Sequence, residues 1–143
     1  MNKQDVENLL KVAYEKFLLD QPDFGNFTSA TDQRELNIAH HYANYILATF
    51  KPVFPEVNLA CDFDVYKGSF RKRPDIILHE RGSFNHQVLV IEVKINGSAT
   101  EKQSELDRIR TDWFLGLGYK YGAYINIDRG TTELLEVEVL VNN

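Results

Sequence analysis

Basic residues are the first shortage in this chain. Lys and Arg number 16 against 21 Asp and Glu, leaving a formal net charge of −5 at pH 7. Sequence-independent binding to nucleic acid depends on neutralising phosphates, so this balance excludes a domain that coats nucleic acid by charge alone. It leaves room for a site where a local patch outweighs the sum. Cysteine is nearly absent too. Cys61 is the only one, so no internal disulfide exists, which fits a cytoplasmic protein. Cys61 alternates with Leu59 and Phe63 and is expected to be buried. No apolar run approaches the ~20 residues of a membrane span, and no membrane partner is expected. The polar opening Met1-Asn2-Lys3-Gln4-Asp5 carries no signal-peptide pattern, another expectation of a cytoplasmic chain. Internal repeats and low-complexity segments are also missing.

What is present suits one ordinary globular domain. The 143 residues are 43% hydrophobic and 26% charged, enough for a real core. The expected organisation is a single domain over 1–143, with residues 1–30 as an N-terminal helical extension.

The most informative stretch is Arg73-Pro74-Asp75-Ile76-Ile77-Leu78-His79, followed after a polar connection by Val88-Leu89-Val90-Ile91-Glu92-Val93-Lys94-Ile95. Both runs have strand composition, yet Asp75, Glu92 and Lys94 put charge where a buried strand should have none. A buried unpaired charge costs several kcal/mol or shifts its pKa until it is neutral. The connection from Glu80 to Gln87 contains Gly82 and suits a hairpin loop. A symmetric hairpin centred between Ser83 and Phe84 sets Asp75 opposite Glu92 and Arg73 opposite Lys94. Opposite residues share a face, and so do Glu92 and Lys94, two apart on one strand. Two carboxylates and an ammonium therefore converge.

Neighbouring carboxylates repel, and one pKa should rise. A divalent cation removes the conflict, because Asp and Glu oxygens with a backbone carbonyl and waters suit Mg²⁺. Lys94 beside the metal would orient a nucleophilic water or neutralise charge developing on a phosphate. A solvated sheet edge, with Lys94 simply paired to Glu92 or Asp75, fits the same spacing.

Pro74-Asp75 followed by Glu92-Val93-Lys94 on the next strand resembles the signature of the PD-(D/E)XK nuclease superfamily, whose fold is restriction-endonuclease-like. The local text around the motif resembles small bacterial members, and the likeness covers roughly residues 31 to 127. The resemblance implies an α/β fold with an αβββαβ core and a mixed central sheet of about five strands flanked by helices. It implies a metal-dependent nuclease hydrolysing phosphodiester bonds, with DNA the first choice of nucleic acid. Asp75, Glu92 and the carbonyl of Val93 would hold Mg²⁺, or Mn²⁺ in its place, with Lys94 assisting the attacking water. The family's first core helix often carries a Glu that completes the metal site, and Glu35 is the matching position. A different class of function fits as well: a binding or scaffold domain that kept the fold and lost turnover. Family habit also implies a homodimer.

The rest of the chain supplies the setting. Val6, Leu9, Leu10, Ala13 and Phe17 recur at helical spacing over residues 3 to 19. That helix either packs internally or dimerises. A second helix begins near Thr31 or Asp32, where Asp32 and Glu35 fit a capping box. Its expected buried stripe is Leu36, Ala39, Ala43, Ile46, Leu47 and Phe50, and Pro52 and Pro55 end it. His40 and His41 are read as surface or packing residues. Val57 to Val65 alternate as a half-buried strand, with Asp62 and Asp64 on the opposite face, either solvated, the more common case, or facing the site. Lys67, Arg71, Lys72 and Arg73 form the most basic cluster, a candidate phosphate-contacting rim. Lys72 and Arg73, with His79 and Arg81, make the candidate substrate-binding set. Ser98 or Thr100 caps a helix running to about Phe114, with Leu106, Ile109 and Trp113 inward and Lys102, Arg108 and Arg110 on the more exposed surface. Strands are expected over residues 121–127 and 134–141.

Overall fold

The structure is a computed structural model that describes residues 1–22, 31–63, 74–83 and 85–143, leaving out the side chains of 31–34 and of Phe63. Helix α1 spans Lys3–Asp20 and begins with a capping box: Asp5 N–H donates to the Asn2 side chain at 2.9 Å and Asn2 N–H to the Asp5 carboxylate at 2.7 Å. This satisfies two of the four N–H groups a helix start leaves unpaired. Helix α2 spans Thr31–Phe50 and ends at a 3-10 turn over Lys51–Val53, where Pro52 stops α-helical hydrogen bonding. Strands β1 (Leu59–Phe63), β2 (Ile76–Glu80) and β3 (Gln87–Ile95) follow, then helix α3 (Ala99–Arg108). A π-helical segment, Ile109–Gly116, continues α3 without a break. Strands β4 (Tyr121–Ile127) and β5 (Leu134–Val141) complete the fold.

The five strands form one sheet in the order β1-β2-β3-β4-β5. Only β3 and β4 run parallel, and α3 with its π segment makes the crossover between them. The sheet is thus mixed, and helices cover both faces. On one face, Leu89, Ile91, Val93 and Ile95 pack against Ile38, Tyr42 and Ile46 of α2 and Leu10 and Phe17 of α1. On the other, Ile77, Val90 and Tyr124 pack under Leu106, Ile109, Trp113 and Phe114. Period-two alternation along β3 assigns its odd residues to the first core and Val90, Glu92 and Lys94 to the second face.

Helix α1 is an internal packing element. Its stripe Val6, Leu10, Ala13, Tyr14 and Phe17 is buried. Tyr42 Oη donates to Leu10 O and Tyr14 Oη to Thr132 O, each at 2.7 Å. The Tyr14 and Tyr42 rings meet edge to face at 5.1 Å, so the buried phenols keep partners while filling the core. Burying one such side chain contributes about 1.5–3 kcal/mol, and Leu10→Ala would open a cavity at this seam.

Three local expectations change. Leu36 is 45% exposed rather than part of the buried stripe; Ile38 and Tyr42 take that place, one turn apart on the inward face. Cys61 is half-buried. The third inward helix is α-helical only to Arg108, because the wider π turn from Ile109 lets Trp113 and the adjacent Phe114 both face the sheet. The capping box at Asp32, and Asp64, Lys67, Arg71, Lys72 and Arg73, lie outside the described residues.

Candidate active site

The β2–β3 pairing matches Ile76 with Ile91, Ile77 with Val90 and Leu78 with Leu89. Carried one residue further, this register sets Asp75 opposite Glu92, as the symmetric hairpin requires. The symmetry fails only at the loop end, where the register shifts between Leu78 and His79 and His79 pairs with Gln87. Asp75 Oδ2 accepts a 2.7 Å hydrogen bond from Val93 N–H and shares another with the Glu92 carboxyl. The group of Val93 that touches Asp75 is therefore its N–H.

Glu92 is 4% exposed in the middle of β3. Trp113 Nε1 of the π segment donates to its Oε1 at 3.0 Å. Burial, then the charges of Asp75 and Glu105, push the Glu92 carboxyl well above the usual carboxylate range, against the pull of Arg108 and Trp113. Asp75 is raised chiefly by burial as well, while Val93 N–H and Glu92 draw it down. Both carboxyls thus hold protons more tightly than free ones, and a cation bound between them would compete with those protons.

Lys94 projects from the same face. Its Nζ lies 3.6 Å from Glu105 Oε1, while Arg108 Nη1 holds Glu105 Oε2 at 2.6 Å. Partial burial lowers the Lys94 pKa, but Glu105, Glu35, Asp75 and Glu101 outweigh it and the net shift is upward. Lys94 is therefore an ammonium at neutral pH, a donor and not a base. Glu105, only 4% exposed, is a site residue the sequence reading passed over. Its signal was position: Glu105 stands next to Leu106 and one turn before Ile109, on the inward side of α3. Arg108, expected on the exposed surface, is turned into the site by this carboxylate.

Glu35 approaches from α2, beyond the end of β3, and its Oε1 accepts from Ile95 N–H at 3.4 Å. The turn after β3 closes this edge. Asn126 Oδ1 accepts from Gly97 N–H at 2.8 Å and Asn126 Nδ2 donates to Gly97 O at 3.3 Å. Asn96 sits at φ 49° and its Oδ1 accepts from Arg129 N–H. β3 and β4 therefore present their carboxyl ends together, the edge where parallel strands commonly place ligands.

His79 and Arg81 belong to a separate cluster. His79 Nε2 lies 2.7 Å from Asp62 Oδ2, and Arg81 Nε and Nη2 reach the same carboxylate at 3.0 and 2.5 Å. Asp62, expected on the more solvated face, is 18% exposed and held by both partners. Hydrogen bonds from Arg81, foremost, lower its pKa. At ~3.3 Å per residue along a strand, His79 stands about 13 Å from Asp75. Among the other basic residues, Lys102 pairs with Glu136 and Arg110 with Asp107.

The set brought together at one edge is thus Asp75, Glu92, Lys94, Glu35 and Glu105. Among the described residues no three Asp, Glu, His or Cys side chains form a ready ion cage. The fit to Mg²⁺ rests on donor chemistry: two adjoining carboxyls whose repulsion a cation relieves, with main-chain oxygen and water completing a hard-oxygen shell. No protein-family model matches the sequence and no curated protein matches it, so the site is read from its own chemistry.

Proposed function

We propose that this domain is a metal-dependent phosphodiester hydrolase of the PD-(D/E)XK type, acting on nucleic acid, with DNA the first substrate to test. The observation that carries the reading is half-buried Asp75 set against buried Glu92, with the Lys94 ammonium on the same sheet face. The element order α2-β1-β2-β3-α3-β4 also agrees with the αβββαβ core that the sequence resemblance implies.

Asp75 and Glu92 would hold Mg²⁺ or Mn²⁺, with the Val93 carbonyl as a third ligand. The bound ion would supply a Lewis acid for the phosphate oxygens. The protein does the rest. Trp113 fixes one oxygen of Glu92, leaving the other directed toward Asp75. Val93 N–H fixes Asp75. Lys94 donates to the attacking water or to a phosphate oxygen, where its positive charge offsets the negative charge that develops. Glu35 stands at the β3 end, where it would hold a water. Lys72 and Arg73 would contact backbone phosphates, whereas His79 and Arg81 are engaged by Asp62 away from the site.

The test is cleavage of supercoiled, linear and single-stranded DNA and of RNA with Mg²⁺ or Mn²⁺, comparing wild type with Asp75→Ala and Lys94→Ala. Metal-dependent cleavage lost in both folded variants is expected; full activity in Asp75→Ala would overturn the assignment. The Lys94–Glu105 ion pair favours a second reading, an inactive nuclease-fold domain that binds a partner, because Glu105 already neutralises the charge that catalysis would need. Calorimetric titration separates the two, since that domain would take up neither Mg²⁺ nor Mn²⁺.

A further inference from the structure

Tyr124 is completely buried, and its hydroxyl has no hydrogen-bond partner among the described residues. A buried hydroxyl left unpaired is unfavourable and calls for an explanation. Its location offers one. β3 and β4 pair Tyr124 with Glu92 and Asn126 with Lys94, so the Tyr124 ring lies on the face that carries the site. A side-chain carbon at Gly97 would come within 2.3 Å of the Tyr124 hydroxyl and 3.0 Å of Lys94 Cβ. The hydroxyl and the Lys94 stem are therefore neighbours across Gly97, whose backbone Asn126 clamps on both sides.

Lys94 has a matching deficit. Its 3.6 Å approach to Glu105 is an ion pair too long for a hydrogen bond. An ammonium has three N–H donors on a flexible stem, and among the described residues only this one loose ion pair aims the Lys94 charge.

We propose that Tyr124 is a positioning residue for Lys94: its Oη accepts a hydrogen bond from one N–H of the ammonium, Glu105 takes the second, and the third is left directed at the Asp75–Glu92 pair. What that third donor serves rests on the nuclease reading; the tripod itself does not. Burial, with the carboxylates of Glu136 and Glu101 next, pushes the phenol up to about 12. It stays protonated and offers a lone pair. Gly97 is required because any side chain there would push the two groups apart.

The test compares wild type, Tyr124→Phe and Lys94→Ala by ¹⁵N–¹H spectroscopy of lysine ammonium groups, in the metal-free protein and with Mg²⁺ and a non-cleavable phosphodiester oligonucleotide. Lys94→Ala identifies the resonance. In wild type the Lys94 ammonium is expected to exchange its protons more slowly than the surface lysines in the metal-free protein as well as with oligonucleotide bound, and Tyr124→Phe abolishes that protection. Tyr124→Phe keeps the buried ring and its packing, so the variant stays folded. Its kcat falls about tenfold with KM unchanged, the scale of one lost hydrogen bond in a transition state. A Lys94 ammonium as exposed to exchange as the surface lysines, or one equally protected in Tyr124→Phe, overturns the proposal. If wild type cleaves nothing, the nuclease reading falls, and ammonium exchange still decides whether Tyr124 holds Lys94.

Discussion

Trp113 and Glu92 meet through a 3.0 Å hydrogen bond between the indole Nε1 and carboxyl Oε1, both buried. The π segment sets this contact, because it turns Trp113 and Phe114 inward together. Trp113→Phe keeps most of the packing and removes the donor. The orphaned carboxyl oxygen should cost about 1–3 kcal/mol, read by urea unfolding, with weaker Mg²⁺ uptake by calorimetry. A cost within error of zero would mean the bond contributes nothing.

Glu92→Gln should raise stability while abolishing metal binding. Its folded pKa is raised, so the unfolded chain gives up its proton first as pH climbs from the ordinary value of 4.5. Wild-type stability from this group is complete below that value and declines above it. The variant lacks the decline. At pH 8 it should exceed wild type by about 1–3 kcal/mol, the size of an unrelieved buried polar group, and the gap should close towards pH 4. Denaturant melts across that range check it; a variant less stable at every pH would contradict the account.

Glu105→Ala removes the carboxylate that serves both Lys94 and Arg108. Breaking a fully buried pair costs ~3–5 kcal/mol. Here the Lys94 and Arg108 side chains are 23% and 16% exposed, and water relieves part of the penalty, so a loss of about 2–3 kcal/mol is expected. Glu105→Gln should lose less. Thermal melts of the pair give the comparison, and an unchanged melt for Glu105→Ala would remove this residue from the site.

Cys61 supplies an alkaline signature. Burial, chiefly, and then Asp62 push its thiol up from 9.0 to about 12. The unfolded thiol ionises first, so its contribution is complete below pH 9 and is lost as pH rises towards 12. Wild type should lose more stability than Cys61→Ala between pH 9 and 11. Alkylation of the native thiol at pH 8 should be slow and should accelerate on unfolding. Rapid alkylation of the folded protein would contradict the shift.

Most of the framework was legible in the chain. Two periods, 3.6 in residues 3–19 and 2 in 57–65, predict α1 and β1, and the polar break at 80–87 predicts the hairpin that aligns Asp75 with Glu92. The site was half legible. Asp75, Glu92 and Lys94 stand out because they interrupt apolar runs, which a strand rarely tolerates. Glu105 hides in a helix rich in charge, where one more carboxylate gives no contrast; only the crossover over β4 turns it inward. Tyr124 reads as one more apolar strand residue, since its meaning lies in a hydroxyl placed against Gly97. Leu36 failed for a related reason: hydrophobic spacing fixes a stripe's width less sharply than its centre.

The register shift between Leu78 and His79 has a practical consequence. It lies between the loop and the carboxylates, and the strand pairing on its far side stays in step. A residue gained or lost in the 81–86 connection can be absorbed at that irregularity without sliding Asp75 past Glu92. The hairpin tip is thus a mechanically insulated attachment point, where a fluorescent label or affinity peptide would report on the protein without retuning its chemistry.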